Sequence, residues 1–214
     1  MKPAGLIFLH GLGDTPAGWS SLQSALPRLQ SSLQHLQMVF PAAPTIPISI
    51  NGGMTTPGWF DLYDWPIGVG VQEDVEGTER AVQTVQDSIR ALQDQGIDRN
   101  RIVVGGFSQG GAIALLTAYR EENLAGCVCL SGWWPRSTPP THLQTPLFWG
   151  HGRFDDKVLF EQQAHGVNLL QGVSQAVVKD YPMGHESHPD ELQDLANFLD
   201  SLLFAEEDDS SKEL

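Results

Sequence analysis

The run Gly106-Phe107-Ser108-Gln109-Gly110 constrains this chain more than any other stretch. It follows the apolar segment Arg101-Ile102-Val103-Val104-Gly105 and precedes Ala112-Ile113-Ala114-Leu115-Leu116. An apolar run, a Gly-x-Ser-x-Gly and a second apolar run read as strand, sharp turn and helix. Such a turn crowds the backbone, so the residues two before and two after the serine must be small. The serine hydroxyl would then stand at the strand end above a helix N-terminus, where an alcohol can be activated and an oxyanion stabilised. The bland alternative is a glycine-rich turn without chemistry. The flanking strand and helix favour the nucleophile elbow.

The rest of the chain repeats the alternation. Strands are predicted at Leu6 to Leu9, Leu36 to Phe40, Ile102 to Phe107, Cys127 to Leu130, Leu147 to Trp149 and Ala176 to Val178. Helical patterns run from about Pro16 to Leu33, distorted at Pro27, then Val75 to Gln95, Gln109 to Tyr119, Lys157 to Leu170 and Pro189 to Leu203. Strand and helix in alternation predict a single α/β domain over residues 1–204, its mainly parallel sheet covered by helices on both faces. Residues 205–214 read as an acidic C-terminal tail. The exception is Pro41 to Glu73, rich in Pro and Gly and carrying Trp59, Phe60, Tyr63 and Trp65. A long irregular segment inside a compact domain is commonly functional. Its aromatics could equally plug the core.

Composition excludes several function classes. The 214 residues carry a net charge of −14, of which the tail's five acids and one lysine account for −4. So acidic a body argues against nucleic acid or anionic lipid as a partner. Cys127 and Cys129 are the two cysteines. At i and i+2 of one strand they share a face and are poorly placed for a disulfide, so they read as buried free thiols in a reducing, cytoplasmic setting. The first residues run straight into a strand, and no apolar run approaches membrane-spanning length. Apolar loops near the site could pair two chains into a homodimer.

A serine nucleophile needs a base, an orienting acid and an oxyanion hole. On folds with this elbow, acid and histidine follow the serine in that order. Past Leu147 to Trp149 comes Gly150-His151-Gly152-Arg153-Phe154-Asp155-Asp156, and past Ala176 to Val178 comes Tyr181-Pro182-Met183-Gly184-His185. Both groups therefore fall in loops beyond strand C-termini, the edge where α/β sheets carry their sites. The oxyanion donors expected are the N–H of Gln109 and, from His10-Gly11-Leu12-Gly13-Asp14 after the first strand, the N–H of Leu12. His185, Glu186 and His188 have the spacing H-E-x-H rather than that of a zinc helix. His10 and His151 are better read as packing or hydrogen bonding below the site. No metal or cofactor is expected.

Together these residues resemble the acyl-protein thioesterases, which overlap with the small carboxylesterases and lysophospholipases of the α/β-hydrolase fold. The matching motifs are Phe8-Leu9-His10-Gly11-Leu12-Gly13-Asp14, Met54 to Asp61, Asn100-Arg101-Ile102 and Gly105 to Gly111. Leu130-Ser131-Gly132-Trp133-Trp134-Pro135, His151-Gly152 and Gly184-His185 complete the set. The resemblance implies Ser108 as nucleophile, His185 as base, Asp155 as acid, and the Leu12 and Gln109 amides as oxyanion hole. It also implies hydrolysis of S-acylated proteins, lysophospholipids or small acyl esters. Two positions depart from the family pattern: Arg153 stands where an aspartate is usual and Asp156 where proline is usual, which leaves Asp156 a rival acid or a helix cap. There is no N-terminal cysteine of the kind some relatives use for a lipid anchor. Trp59, Phe60, Trp133 and Trp134 are the expected acyl-binding residues. A short-chain carboxylesterase without a protein substrate is the nearest alternative. A non-catalytic binding module on the same fold is the remote one.

Overall fold

A computed structural model describes residues 2–120 and 123–204. The expected acidic tail lies outside the described residues. Strands β1 (Ala4–Leu9), β2 (Leu36–Val39), β5 (Ile102–Phe107), β6 (Gly126–Leu130), β7 (Leu147–Gly152) and β8 (Ala176–Tyr181) form one parallel sheet in the order β2-β1-β5-β6-β7-β8. Side chains alternate across it. Ile7, Leu9, Val104, Cys127, Cys129 and Trp149 face one apolar layer, and Leu6, Phe8, Val103, Val128, Leu130 and Phe148 face the other. Burial on both faces explains why the central strands read as unbroken apolar runs.

Among the described residues, six α-helices cover the sheet: α1 (Pro16–Trp19), α2 (Leu22–Leu29), α3 (Val75–Asp94), α4 (Gln109–Ala118), α5 (Glu161–Leu169) and α6 (Pro189–Leu203). Helices α3, α4 and α5 pack on the first face, and α2 and α6 on the second. All ten residues of α4 are buried. That explains its largely apolar sequence, and each large apolar side chain there contributes roughly 1.5–3 kcal/mol by leaving water. Asp74 caps α3 by accepting from the Gly77 N–H at 2.9 Å. His188 caps α6, with Pro189 in its first turn.

The strand order places the site. From β1 the chain steps outward to β2, then returns to lay β5 on the other side of β1 and continues through β6, β7 and β8. The reversal between β1 and β5 is a topological switch point, and their C-terminal ends open a crevice there. The loop after β1 carries Leu12, and the turn after β5 carries Ser108.

Three expectations change in detail. The helix expected from Pro16 to Leu33 is split into α1, α2 and a 3-10 turn at Ser31–His35, with Pro27 inside α2. The helix expected from Lys157 starts at Glu161. The backbone of 157–159 is instead engaged with the long loop: Ile67 N–H donates to Lys157 O and Leu159 N–H to Ile67 O. The irregular segment also contains an antiparallel pair, β3 (Thr45–Ile48) and β4 (Met54–Pro57). Its turn is closed by Gly52 and Gly53, both at positive φ.

Candidate active site

Ser108 sits at φ 54°, ψ −120°, a backbone conformation that side-chain-bearing residues rarely adopt. Its neighbours make the strain tolerable. A Cβ on Gly106 would run into the Gly110 backbone, and one on Gly110 would run into the carbonyls of Leu9 and His10. These close approaches are the physical reason for glycine at both positions of the motif. Ser108 N–H is tied to Leu130 O at 2.8 Å, which fixes the turn to the end of β6. The hydroxyl therefore stands at the N-terminus of α4, at the positive end of its dipole.

The loop after β1 passes directly beside it. A Cβ built on Gly11 would lie 3.3 Å from the Ser108 Cβ. The N–H groups of Leu12 and Gln109 make no hydrogen bond among the described residues. Both residues line the cavity that contains Ser108. Nearby, His10 Nε2 accepts from the Ala43 N–H at 3.1 Å, so Nδ1 carries the proton and donates to Gly11 O at 2.8 Å. These two bonds lock the loop below Leu12.

His185 arrives from the loop after β8, its ring against Phe107 at 4.7 Å between centroids. Nε2 lies 2.8 Å from Ser108 Oγ, and Nδ1 lies 2.7 Å from Asp155 Oδ2. With Asp155 ionised, Nδ1 carries the hydrogen and Nε2 is free to accept from the serine hydroxyl. The Asp155 side chain is fully buried. Burial pushes its carboxyl up, but the His185 hydrogen bond and charge outweigh that, helped by the Lys157 and Val158 N–H groups donating to Oδ1 at 2.9 Å each. The result is a carboxylate held below its usual range. Asp156 points away, exposed, with Lys157 Nζ 3.5 Å from its carboxylate.

His151 braces the acid loop. Its Nε2–H donates to Val158 O at 2.9 Å and lies 3.5 Å from Asp155 Oδ2. Burial pushes this imidazole down, so it is neutral. Among the described residues there is no group of His, Cys, Asp and Glu able to hold a metal.

Ser108 and His185 open into a cavity of about 440 Å3, walled by Leu12, Trp19, Leu62, Trp65, Ile67 and Trp133 among others. A second cavity of about 330 Å3 lies beyond Leu62 and Trp133, which line both. Phe60 and Trp134 line only the second. Trp59 lines neither: it is buried, and its indole N–H donates to His10 O at 2.8 Å.

Over residues 2–203 the chain matches the phospholipase/carboxylesterase family. It belongs to that family. The acyl-protein thioesterase 1 of Cryptococcus neoformans var. neoformans serotype D is 39% identical over 219 residues, which cover 92% of this chain and 91% of that protein. Among solved structures, Arabidopsis thaliana SOBER1 superposes with a TM-score of 0.87 at 29% identity, covering 94% of this chain and 99% of the other. Zea mays acyl-protein thioesterase 2 does so with 0.81 at 29%, covering 95% of each. The fold is that of the α/β-hydrolases.

His151 hydrogen-bonds below the site as expected. Leu62, Ile67, Trp65, Val158 and the side chain of Gln109 were missed by sequence reasoning at this family member's site. Each acts through contacts between loops distant in sequence. Of these, only Trp65 carried a signal, as one of the clustered aromatics in the long segment.

Proposed function

We propose that this protein is a serine hydrolase that releases fatty acyl groups from S-acylated proteins, with Ser108, His185 and Asp155 as its catalytic residues. The observation that carries the reading is the hydrogen-bonded series Ser108 Oγ–His185 Nε2 and His185 Nδ1–Asp155 Oδ2, at 2.8 and 2.7 Å. His185 Nε2 takes the serine proton as Oγ attacks the acyl carbon. Negative charge gathers on the former carbonyl oxygen, which the Leu12 and Gln109 N–H groups receive. The carbon–sulfur bond breaks, the thiol leaves with the proton from His185, and the acyl group remains on Ser108. Water then enters, gives its proton to His185 and repeats the attack, releasing the fatty acid. Asp155 orients the imidazole and stabilises it while charged.

The substrate class is supported by the thioesterase relatives and by an apolar cavity beside the serine. Leu62, Trp65, Ile67 and Trp133 would receive the acyl chain, and Phe60 and Trp134 would meet its far end. Trp59 serves the site from behind. A cytoplasmic setting fits the buried free thiols Cys127 and Cys129, and no described helix is long and apolar enough to cross a membrane.

A fluorophosphonate probe tests the chemistry: labelling should fall on Ser108 and vanish in Ser108→Ala. An unlabelled parent protein would exclude the serine mechanism. Trp134→Ala should lower kcat/KM for palmitoyl substrates more than for acetyl esters, whereas equal losses would mean a folding defect.

A further inference from the structure

The side chain of Gln109 has no part in the scheme above, yet it is only 1% exposed and both ends of its carboxamide are engaged. Oε1 accepts from the Trp59 N–H at 2.8 Å, and Nε2 donates to Phe60 O at 2.6 Å. The segment it clasps grips the loop after β1 on both sides of Leu12. Gly13 N–H donates to Pro57 O at 2.8 Å, and the Trp59 indole N–H donates to His10 O at 2.8 Å. Between them, Leu12 packs so closely on Gly58 that a Cβ there would lie 2.9 Å from Leu12 Cδ1.

We propose that the Gln109 carboxamide is a positioning group for the oxyanion hole, clasping residues 57–60 so that the Leu12 N–H is held in register with the N–H of Gln109 itself. One residue thus supplies one donor directly and aligns the other through a four-residue bridge. The plainer role of a buried amide, saturating two backbone groups in the interior, explains the two bonds to Trp59 and Phe60. It does not explain why the clasped segment is bonded to the loop on both sides of Leu12, at His10 and at Gly13. Of the two clasped residues, Trp59 lines neither cavity and Phe60 lines only the second, away from Ser108, so loosening the clasp disturbs the donors more than the acyl wall beside the serine. The cost should therefore fall on kcat rather than KM, because the donors bind charge that exists only in the transition state.

This proposal rests on the Ser108 reading, and its test separates the two. Gln109→Ala keeps the backbone N–H and removes the clasp. Gln109→Glu keeps an acceptor for Trp59 but loses the donor to Phe60. Trp59→Phe keeps a buried ring and loses the bond to His10. Each is assayed per active site, counted with a fluorophosphonate, against an acyl thioester and against an acyl trifluoromethyl ketone whose adduct places an oxyanion in the hole. Misplacing a donor by about 1 Å should lower kcat for Gln109→Ala roughly 10- to 100-fold. KM should stay within about twofold and ketone affinity should fall in parallel with kcat/KM. Gln109→Glu and Trp59→Phe should move the same way, and they carry the test if Gln109→Ala does not fold. Adding Trp59→Phe to Gln109→Ala should cost less than the product of the two single losses. Unchanged kcat per labelled site, with only thermal stability reduced, would overturn the proposal. So would a rise in KM with kcat intact. A parent that fails to label at Ser108 would remove the catalytic reading as well, which a labelled parent with active variants would not.

Discussion

Two carboxyl groups are buried against the C-terminal part of β7, and they are held in opposite ways. Asp155 lies in the loop just after the strand, its oxygens engaged by His185 and by the N–H groups of Lys157 and Val158. Glu191, in the first turn of α6, lies over Gly150 so closely that a Cβ there would collide with its carboxyl. Among the described residues neither of its oxygens makes a hydrogen bond of good geometry, and burial pushes it up to about 8, the nearby His188 backbone N–H pulling less strongly the other way. Burial alone would neutralise either acid. Donors arranged around Asp155 keep it anionic, able to steady a charged imidazole. Glu191 stays protonated at neutral pH as a packing group under the helix. A buried acid in this family member is therefore informative through its donors rather than its depth.

The comparison breaks most sharply in kinetics. Asp155→Asn should lower kcat by about 10⁴, as the loss of an orienting acid does in other triads. Glu191→Gln should leave kcat within about twofold, because it replaces one neutral group by another. Comparable losses in steady-state assays of the two variants would erase the distinction.

Next in size is the dependence of stability on pH, where the two acids carry opposite signs. Asp155 is held low, so its contribution is present above the usual carboxylate range and is lost as pH falls below it. Glu191 is held high, so its contribution is complete below the usual carboxylate range and drains away as pH rises toward about 8. Melting curves should show Glu191→Gln gaining on the parent between pH 5 and pH 8, by on the order of a few kcal/mol. Asp155→Asn should lose ground to the parent as pH rises through the acid range up to about pH 5, and the difference should be flat above that. A flat difference for Glu191→Gln would mean that its carboxyl finds a donor in solution. The smallest effect belongs to Asp156→Asn, exposed and turned toward Lys157, which should change kcat by no more than about twofold.

Much of this was legible in the sequence because it depends on local rules. The elbow glycines, the apolar strands and the long helices α3, α4 and α6 each announce themselves through sterics or periodicity. The order of serine, acid loop and histidine along the chain is enough to place three loops on one sheet edge. Other features follow only from distant contacts. β3 and β4 are four residues each and contain Pro47 and Pro57, so no alternation survives to mark them. The late start of α5 reflects the pairing of 157–159 with Ile67, a partner ninety positions away in sequence. Trp59 and Trp133 look alike in composition. Yet one bonds the loop after β1 and the other walls the cavity, because only the fold decides which face of each loop meets Ser108.

The central claim is most directly tested by kcat/KM across a series of S-acyl peptides and matched oxygen esters, from acetyl to palmitoyl, with Ser108→Ala as the blank. Thioesters should be cleaved, kcat/KM should rise toward medium and long chains, and Ser108→Ala should be inert. A maximum at acetyl or butyryl with thioesters refused would contradict the claim and leave a short-chain carboxylesterase.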